Sequence, residues 1–243
     1  AVTDKTQMRL GVGYYNFKGI EGTRETDPPP SGALAGTTPY QLSQYRSTIR
    51  QKGNTLINLN DPTSTAAPVW GLASKFQPIN LTAGVTLSQL DPVQVGFTFD
   101  YVKNGGFDLA DIQRRAGTST LSDLAEKNTG VQLRAQVGSP KFGPRGSWNA
   151  FFAVRKFERD AWVDAFTDTT WHLGGTNYSG YSLGSNYAFD NNTSIGFRWT
   201  STRNLDDKRR FLAVPGDPTS VSGNLSSAPM KIDVLQLELN TRF

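Results

Sequence analysis

The stretch Lys231-Ile232-Asp233-Val234-Leu235-Gln236-Leu237-Glu238-Leu239-Asn240-Thr241-Arg242-Phe243 decides how the rest of the chain is read. Successive side chains of an extended strand point to opposite faces. Leu235, Leu237, Leu239, Thr241 and Phe243 therefore share one face, and Gln236, Glu238, Asn240 and Arg242 the other. One reading is an amphipathic strand of a soluble β-sandwich. The other is the closing strand of a membrane barrel, which needs a lipid-facing apolar row and an aromatic anchor at the membrane boundary. The segment alone balances the two, so the remaining sequence has to decide.

The chain has 243 residues, of which 19% are charged and 37% hydrophobic. That is too apolar for a disordered chain, and no apolar run is long enough for a membrane helix. A mean hydropathy of -0.44 does not argue against a barrel, whose apolar residues are hidden in alternation. Cysteine is absent, which excludes a disulfide framework, thiol catalysis and cysteine metal sites. The net charge of +4 comes mostly from scattered single basic residues, which gives little support to nucleic-acid binding. No signal peptide precedes Ala1, as expected of a mature terminus or a cut.

Period-two alternation recurs along the chain. Met8, Leu10, Val12 and Tyr14 oppose Arg9, Gly11, Gly13 and Tyr15. A second strand is expected over Trp70 to Leu87, with a bulge at Pro78. Val93, Val95, Phe97, Phe99 and Tyr101 oppose Gln94, Gly96, Thr98 and Asp100. Further strands carry Val131 to Val137, Trp148 to Val154, Tyr181 to Phe189 and Ile195 to Trp199. With the closing stretch this makes eight strands in a single domain over 1–243, with no repeat of helical type. Short helices are expected near Gln41–Arg50 and around Leu109, Ile112, Leu121 and Leu124.

Two regularities favour the barrel. Connections alternate: the long ones, 20–69, 104–128, 160–177 and 203–230, fall at one end, and short turns at the other. An antiparallel up-and-down barrel produces this pattern, whereas a Greek-key sandwich has no such obligation. The apolar rows also have aromatic ends. Trp148, Tyr187, Phe189 and Phe243 would sit at the short-turn end, and Tyr14, Tyr101, Tyr181 and Trp199 at the long-loop end. Aromatic rings prefer membrane–water boundaries, so these eight residues are the expected lipid-facing girdle.

The closing stretch resembles the C-terminal strand of bacterial outer-membrane porins. Thr3–Phe17 (TDKTQMRLGVGYYNF), Arg155–Ala165 and Trp171–Tyr181 (WHLGGTNYSGY) resemble the putative-porin family of Gram-negative bacteria. The resemblance implies that this segment is the C-terminal half of a barrel of about sixteen strands. It implies residence in the bacterial outer membrane, contact with membrane lipids and lipopolysaccharide, and recognition of the last strand by the barrel-assembly machinery. Assembly as a homo-oligomer is compatible with it. The expected function is passive diffusion of small hydrophilic solutes, with no cofactor.

If the apolar row faces lipid, the other row lines the lumen. Arg9, Arg134, Arg155, Arg198 and Arg242 against Asp100 and Glu238 then make a basic interior, expected to favour anionic solutes. The blander alternative is that these charges pair internally and merely pack the lumen. Other classes remain open: a small plugged barrel acting as a structural anchor or adhesin, or an outer-membrane hydrolase. His172 is the single histidine, in a long connection after Asp164 and Asp168, and no nucleophile signature flanks it. Asp206 and Asp207 read as a solvated charge cluster beside Lys208, Arg209 and Arg210. No catalytic residue and no metal site is assigned.

Overall fold

A computed structural model describes residues 5–23, 53–59, 70–116, 125–205 and 230–242. In chain order the strands are β1 (Thr6–Tyr14), β2 (Leu56–Asn58), β3 (Trp70–Leu72), β4 (Pro78–Leu90) and β5 (Val93–Asn104), followed by helix α1 (Leu109–Ala116). Then come β6 (Thr129–Gly138), β7 (Trp148–Phe157), β8 (Tyr178–Ala188), β9 (Thr193–Asn204) and β10 (Lys231–Thr241). Eight of them form one antiparallel sheet in the order β1-β4-β5-β6-β7-β8-β9-β10. Each strand pairs with the next long strand in the chain, which makes an up-and-down meander. The sheet is open, with β1 and β10 at its edges.

The expected long–short alternation holds among these strands. β4 turns into β5 through Asp91–Pro92, β6 into β7 through 139–147, and β8 into β9 through 189–192. Two expectations are corrected. Trp70 does not begin the second long strand: β3 is separate and pairs with β2 in a two-stranded sheet of its own. Pro78 carries no bulge; it is the first residue of β4, where its missing N–H removes nothing from the ladder. The register shift lies between Leu87 and Leu90, beside the turn. The helix expected around Leu109 and Ile112 is α1. Those expected at 41–50 and at Leu121 and Leu124 lie outside the described residues, as do Phe243, Asp206 and Asp207.

Register carries the alternation across the whole sheet. Met8, Val85, Phe97, Ala135, Phe152, Leu183, Trp199 and Leu235 are successive cross-strand partners, so one face holds an unbroken apolar rung. Nothing described packs on that face: Leu10 is 79% exposed, Phe97 48% and Leu237 74%. A soluble sandwich would cover this row with a second sheet. The buried apolar residues gather instead at the long-connection end. Leu56, Leu72, Phe76 and Val163 form one cluster, and Ile57, Ala73 and Ile112 another.

Close backbone approach explains one inward-facing glycine. A Cβ on Gly180 would run into the carbonyl oxygen of Ser201 on β9, whereas one on Gly84 would stand 3.7 Å from its nearest neighbour, the Phe97 carbonyl oxygen. Gly180→Ala is therefore expected to lower stability by about 1–3 kcal/mol, as overpacking does, and Gly84→Ala to be tolerated. Urea unfolding midpoints of the two refolded variants compare them directly.

Candidate functional site

The polar face is built from three neighbouring rungs. The middle one runs Arg9, Gly84, Thr98, Arg134, Ala153, Ser182, Thr200, Val234. On its short-turn side lie Gln136, Phe151, Gly184, Arg198 and Gln236. On its long-connection side lie Gly11, Thr82, Asp100, Gln132, Arg155, Gly180 and Thr202. Small and polar side chains keep this face open.

Its arginines are held in two ways. The Arg134 guanidinium carbon lies 3.8 Å from the centroid of the Phe151 ring, and that of Arg198 lies 5.7 Å from the same ring. Phe151 can lie along the wall because Gly184 beside it has no side chain; a Cβ there would meet the ring at 2.7 Å. Neither Arg134 nor Arg198 is in an ion pair among the described residues. Arg155 is tied down instead. Its Nε and Nη2 donate to Gln132 Oε1 at 2.8 and 2.6 Å, its Nη1 donates to the Tyr178 hydroxyl at 3.0 Å, and its guanidinium lies 4.4 Å over Trp171. Gln132 Nε2 in turn reaches Asp100 Oδ2 at 3.4 Å, and Asp100 Oδ1 accepts the Thr82 hydroxyl at 2.6 Å. Asp100 and Arg155 are thus linked through Gln132, not to each other. Arg9, Glu238 and Arg242 are exposed at the sheet edges, apart from this group; the Arg242 backbone N–H donates to Asn192 O at 3.0 Å.

The connection between β7 and β8 folds over this polar face. His172 sits at a positive φ of 53°, as Leu173 does at 56° and Asn177 at 64°, which turns the chain back onto the wall. The His172 Nδ1 is 2.9 Å from Thr202 Oγ1, its Nε2 is 2.8 Å from Asn204 Oδ1, and its ring stacks on Tyr178 at 5.2 Å. All three partners are on the inward face of β8 and β9. Burial pushes the imidazole below its ordinary value of 6.5, against the opposing pull of Asn204. With both ring nitrogens engaged and His172 only 4% exposed, the hydrolase alternative gains nothing from it.

A buried polar knot fixes the other side of this connection. The Asn54 amide donates to Arg159 O at 2.6 Å and Trp162 O at 2.8 Å, and its Oδ1 accepts the Asp164 N–H at 2.9 Å. The Thr55 N–H and hydroxyl donate to the Asp160 carboxylate at 2.9 and 2.6 Å. Asn104 Nδ2 donates to Asp160 O and Lys75 O, both at 2.9 Å, while its Oδ1 accepts from Gln77 N and Gly106 N. Burial raises the Asp160 carboxyl above the usual range, opposed by Arg159 and Thr55. Three of the long connections are thereby laced together. Residues 53–59 of the first connection pack against 158–177; the sequence left open whether that connection turns inward or outward.

Between 158–177 and the wall is a cavity of about 300 Å³, lined among others by Tyr15, Asp100, Arg155, Trp162, Phe166 and Asp168. Sequence reasoning placed Tyr15, Asp100 and Arg155 on this face and missed Trp162, Phe166 and the Asn54–Asp160 knot. The signal available for the aromatics was the density of rings in a connection without strand period, Trp162 to Trp171.

Of the expected girdle residues, Tyr14, Tyr101, Trp148, Tyr181, Tyr187 and Trp199 lie on the apolar face, but Tyr14, Tyr101, Tyr181 and Trp199 do not share one rung. Tyr14 pairs with Ile79, Tyr101 with Leu81, Tyr181 with Val154 and Trp199 with Leu235, so they step down the register from β1 to β9.

An antiparallel meander with one exposed apolar face, one polar glycine-rich face and a connection folded onto the latter is a porin-like wall. The family described as putative porin matches residues 1–243, so the chain belongs to that family. No curated protein and no solved structure matches it.

Two outcomes follow for the inward connection. Asp160→Ala leaves the Thr55 donors unmatched, at a cost of about 1–3 kcal/mol, and is expected to expose residues 53–59 to hydrogen exchange and proteolysis. The His172 value is depressed when docked, so its stabilising contribution is complete above 6.5 and is lost as pH falls toward the docked value. Exchange at 171–177 should therefore rise on acidification, and His172→Gln should remove that pH dependence.

Proposed function

We propose that this chain forms part of the wall of an outer-membrane β-barrel that lets small hydrophilic solutes diffuse passively, with a preference for anions. The observation that carries it is the pair Arg134 and Arg198, which share the Phe151 ring on the polar face without a carboxylate partner among the described residues. Guanidinium groups stay charged at any working pH, and unneutralised charges lining a pore concentrate the opposite ion. Arg155, engaged by Gln132, Tyr178 and Trp171, contributes less.

The stepping of the apolar band supports the barrel. On β1 the band runs Met8 to Tyr14, while on β10 it is confined to Leu235, Leu237 and Leu239. One rung begins Val12, Leu81, Tyr101, Val131 and ends Lys156, Ser179, Arg203, Lys231. A band level with a membrane crosses the register in this way when strands are tilted, as barrel strands are. The inward connection supports a channel over an adhesin, since an adhesin presents its long connections to the outside.

Three measurements test this. Phe97→Arg places a charge on the apolar face and is expected to cost about 2–4 kcal/mol at mid-bilayer, far more than Thr98→Arg on the polar face; equal losses in a lipid-refolding titration would reverse the faces. Reversal potentials under a KCl gradient should show anion preference. Arg134→Gln with Arg198→Gln should reduce it more than Arg155→Gln. The preference should weaken at high salt, since the screening length falls from about 10 Å at 0.1 M to about 3 Å at 1 M. Cation preference in the parent protein would overturn the reading.

A further inference from the structure

We propose that the cavity between the wall and the 158–177 connection is a binding station for a small organic ammonium ion that carries an aromatic or apolar group. The cavity of about 300 Å³ is at the lower end of the range of small-ligand pockets. Its aromatic side is continuous. The Trp162 ring meets Tyr15 edge-on at 4.7 Å and Phe17 at 5.8 Å, and Phe17 stacks on Phe166 at 5.8 Å. Tyr15 and Phe166 are 46% and 68% exposed, on a face where other positions are mostly polar or glycine. Rings presented to water this way are open to a ligand.

Charge selects which ligand. Among the described residues Asp100 accepts from neutral donors, the Thr82 hydroxyl and the Gln132 amide. Asp168 Oδ1 accepts the Thr170 N–H at 2.9 Å and its hydroxyl at 2.8 Å. Neither carboxylate is in an ion pair among the described residues. The single cation among the described lining residues, Arg155, already has Gln132, Tyr178 and Trp171 around its guanidinium. Two carboxylates against one engaged guanidinium leave the cavity net negative. Aromatic faces, with their negative quadrupole, attract an ammonium as well. Both contributions have the same sign, and both disfavour an anion. The basic pair Arg134 and Arg198 is on other rungs, toward the short turns, so the two charge environments are separated along the wall.

The station does not require that the protein conduct. The test is calorimetric titration of the full chain, folded in detergent, with benzyltrimethylammonium. Benzyl alcohol and benzoate serve as neutral and anionic rings of similar size. Benzyltrimethylammonium is expected to bind saturably and about tenfold or more tighter than either comparison. Trp162→Leu and Asp168→Asn should each weaken it about tenfold, while Lys141→Gln in a short turn leaves it unchanged. Asp168 bonds only locally to Thr170, so Asp168→Asn is a probe that keeps the fold; heat-modifiable gel mobility verifies this. Equal binding of benzyl alcohol or benzoate, absence of saturable binding, or parental affinity in Asp168→Asn would overturn the proposal. Binding without any bilayer conductance would count against the channel and leave the station standing.

Discussion

The constraint on which the structure depends is that eight strands keep a period of two in register with one another. A slip of one residue in any pairing would turn that strand's apolar residues to the polar face. The pairings avoid this at every step from Met8 to Leu235. The one register shift is confined to Leu87–Leu90 at the end of β4, where it disturbs no rung that carries charge. Both faces follow from the register, and with them the positions of Phe151, Arg134, Asp100 and Arg155.

The polar face makes possible a second level of order. Glycines and small residues there admit an entire connection, which is then held by hydrogen bonds more than by apolar burial. Asn54, Asn104 and Asp160 are each within 6% of full burial; Asn54 and Asn104 each satisfy several backbone groups that folding would otherwise strand, and Asp160 accepts the Thr55 N–H and hydroxyl. A carboxylate buried as deeply as Asp160 is costly on its own, and its Thr55 bonds offset that cost only while residues 53–59 stay docked. The polar knot therefore makes the position of 158–177 conditional on the first long connection.

What was legible in the sequence was whatever repeats every second residue. The eight long strands, their faces and the short turns all rest on local alternation. β2 was missed, and β3 was merged into the second long strand, because a strand of three residues cannot show a period. The Thr55–Asp160 contact spans 105 residues and has no pattern to announce it. Pro78 was read as a defect because the sequence did not show that β4 begins there. Arg155 was grouped with the free arginines because parity gives a face, whereas engagement by Gln132 and Tyr178 depends on where a side chain reaches.

The open edges bear on how the proposed barrel closes. Within a bilayer no strand edge can stay unpaired, because each bare N–H and C=O costs several kcal/mol. β1 and β10 must then pair, either with each other or with further strands. Eight strands closed on themselves enclose only enough room for side chains. Here the polar face already carries a connection as well, with Trp171 over Arg155 and His172 bonded to Thr202 and Asn204. Closed in this way, that connection and the cavity beside it would have to share so narrow a ring with the inward side chains opposite. Under the proposed reading the space this chain needs on its inner face is itself the argument for additional strands between β10 and β1, and for a barrel of about sixteen in place of eight.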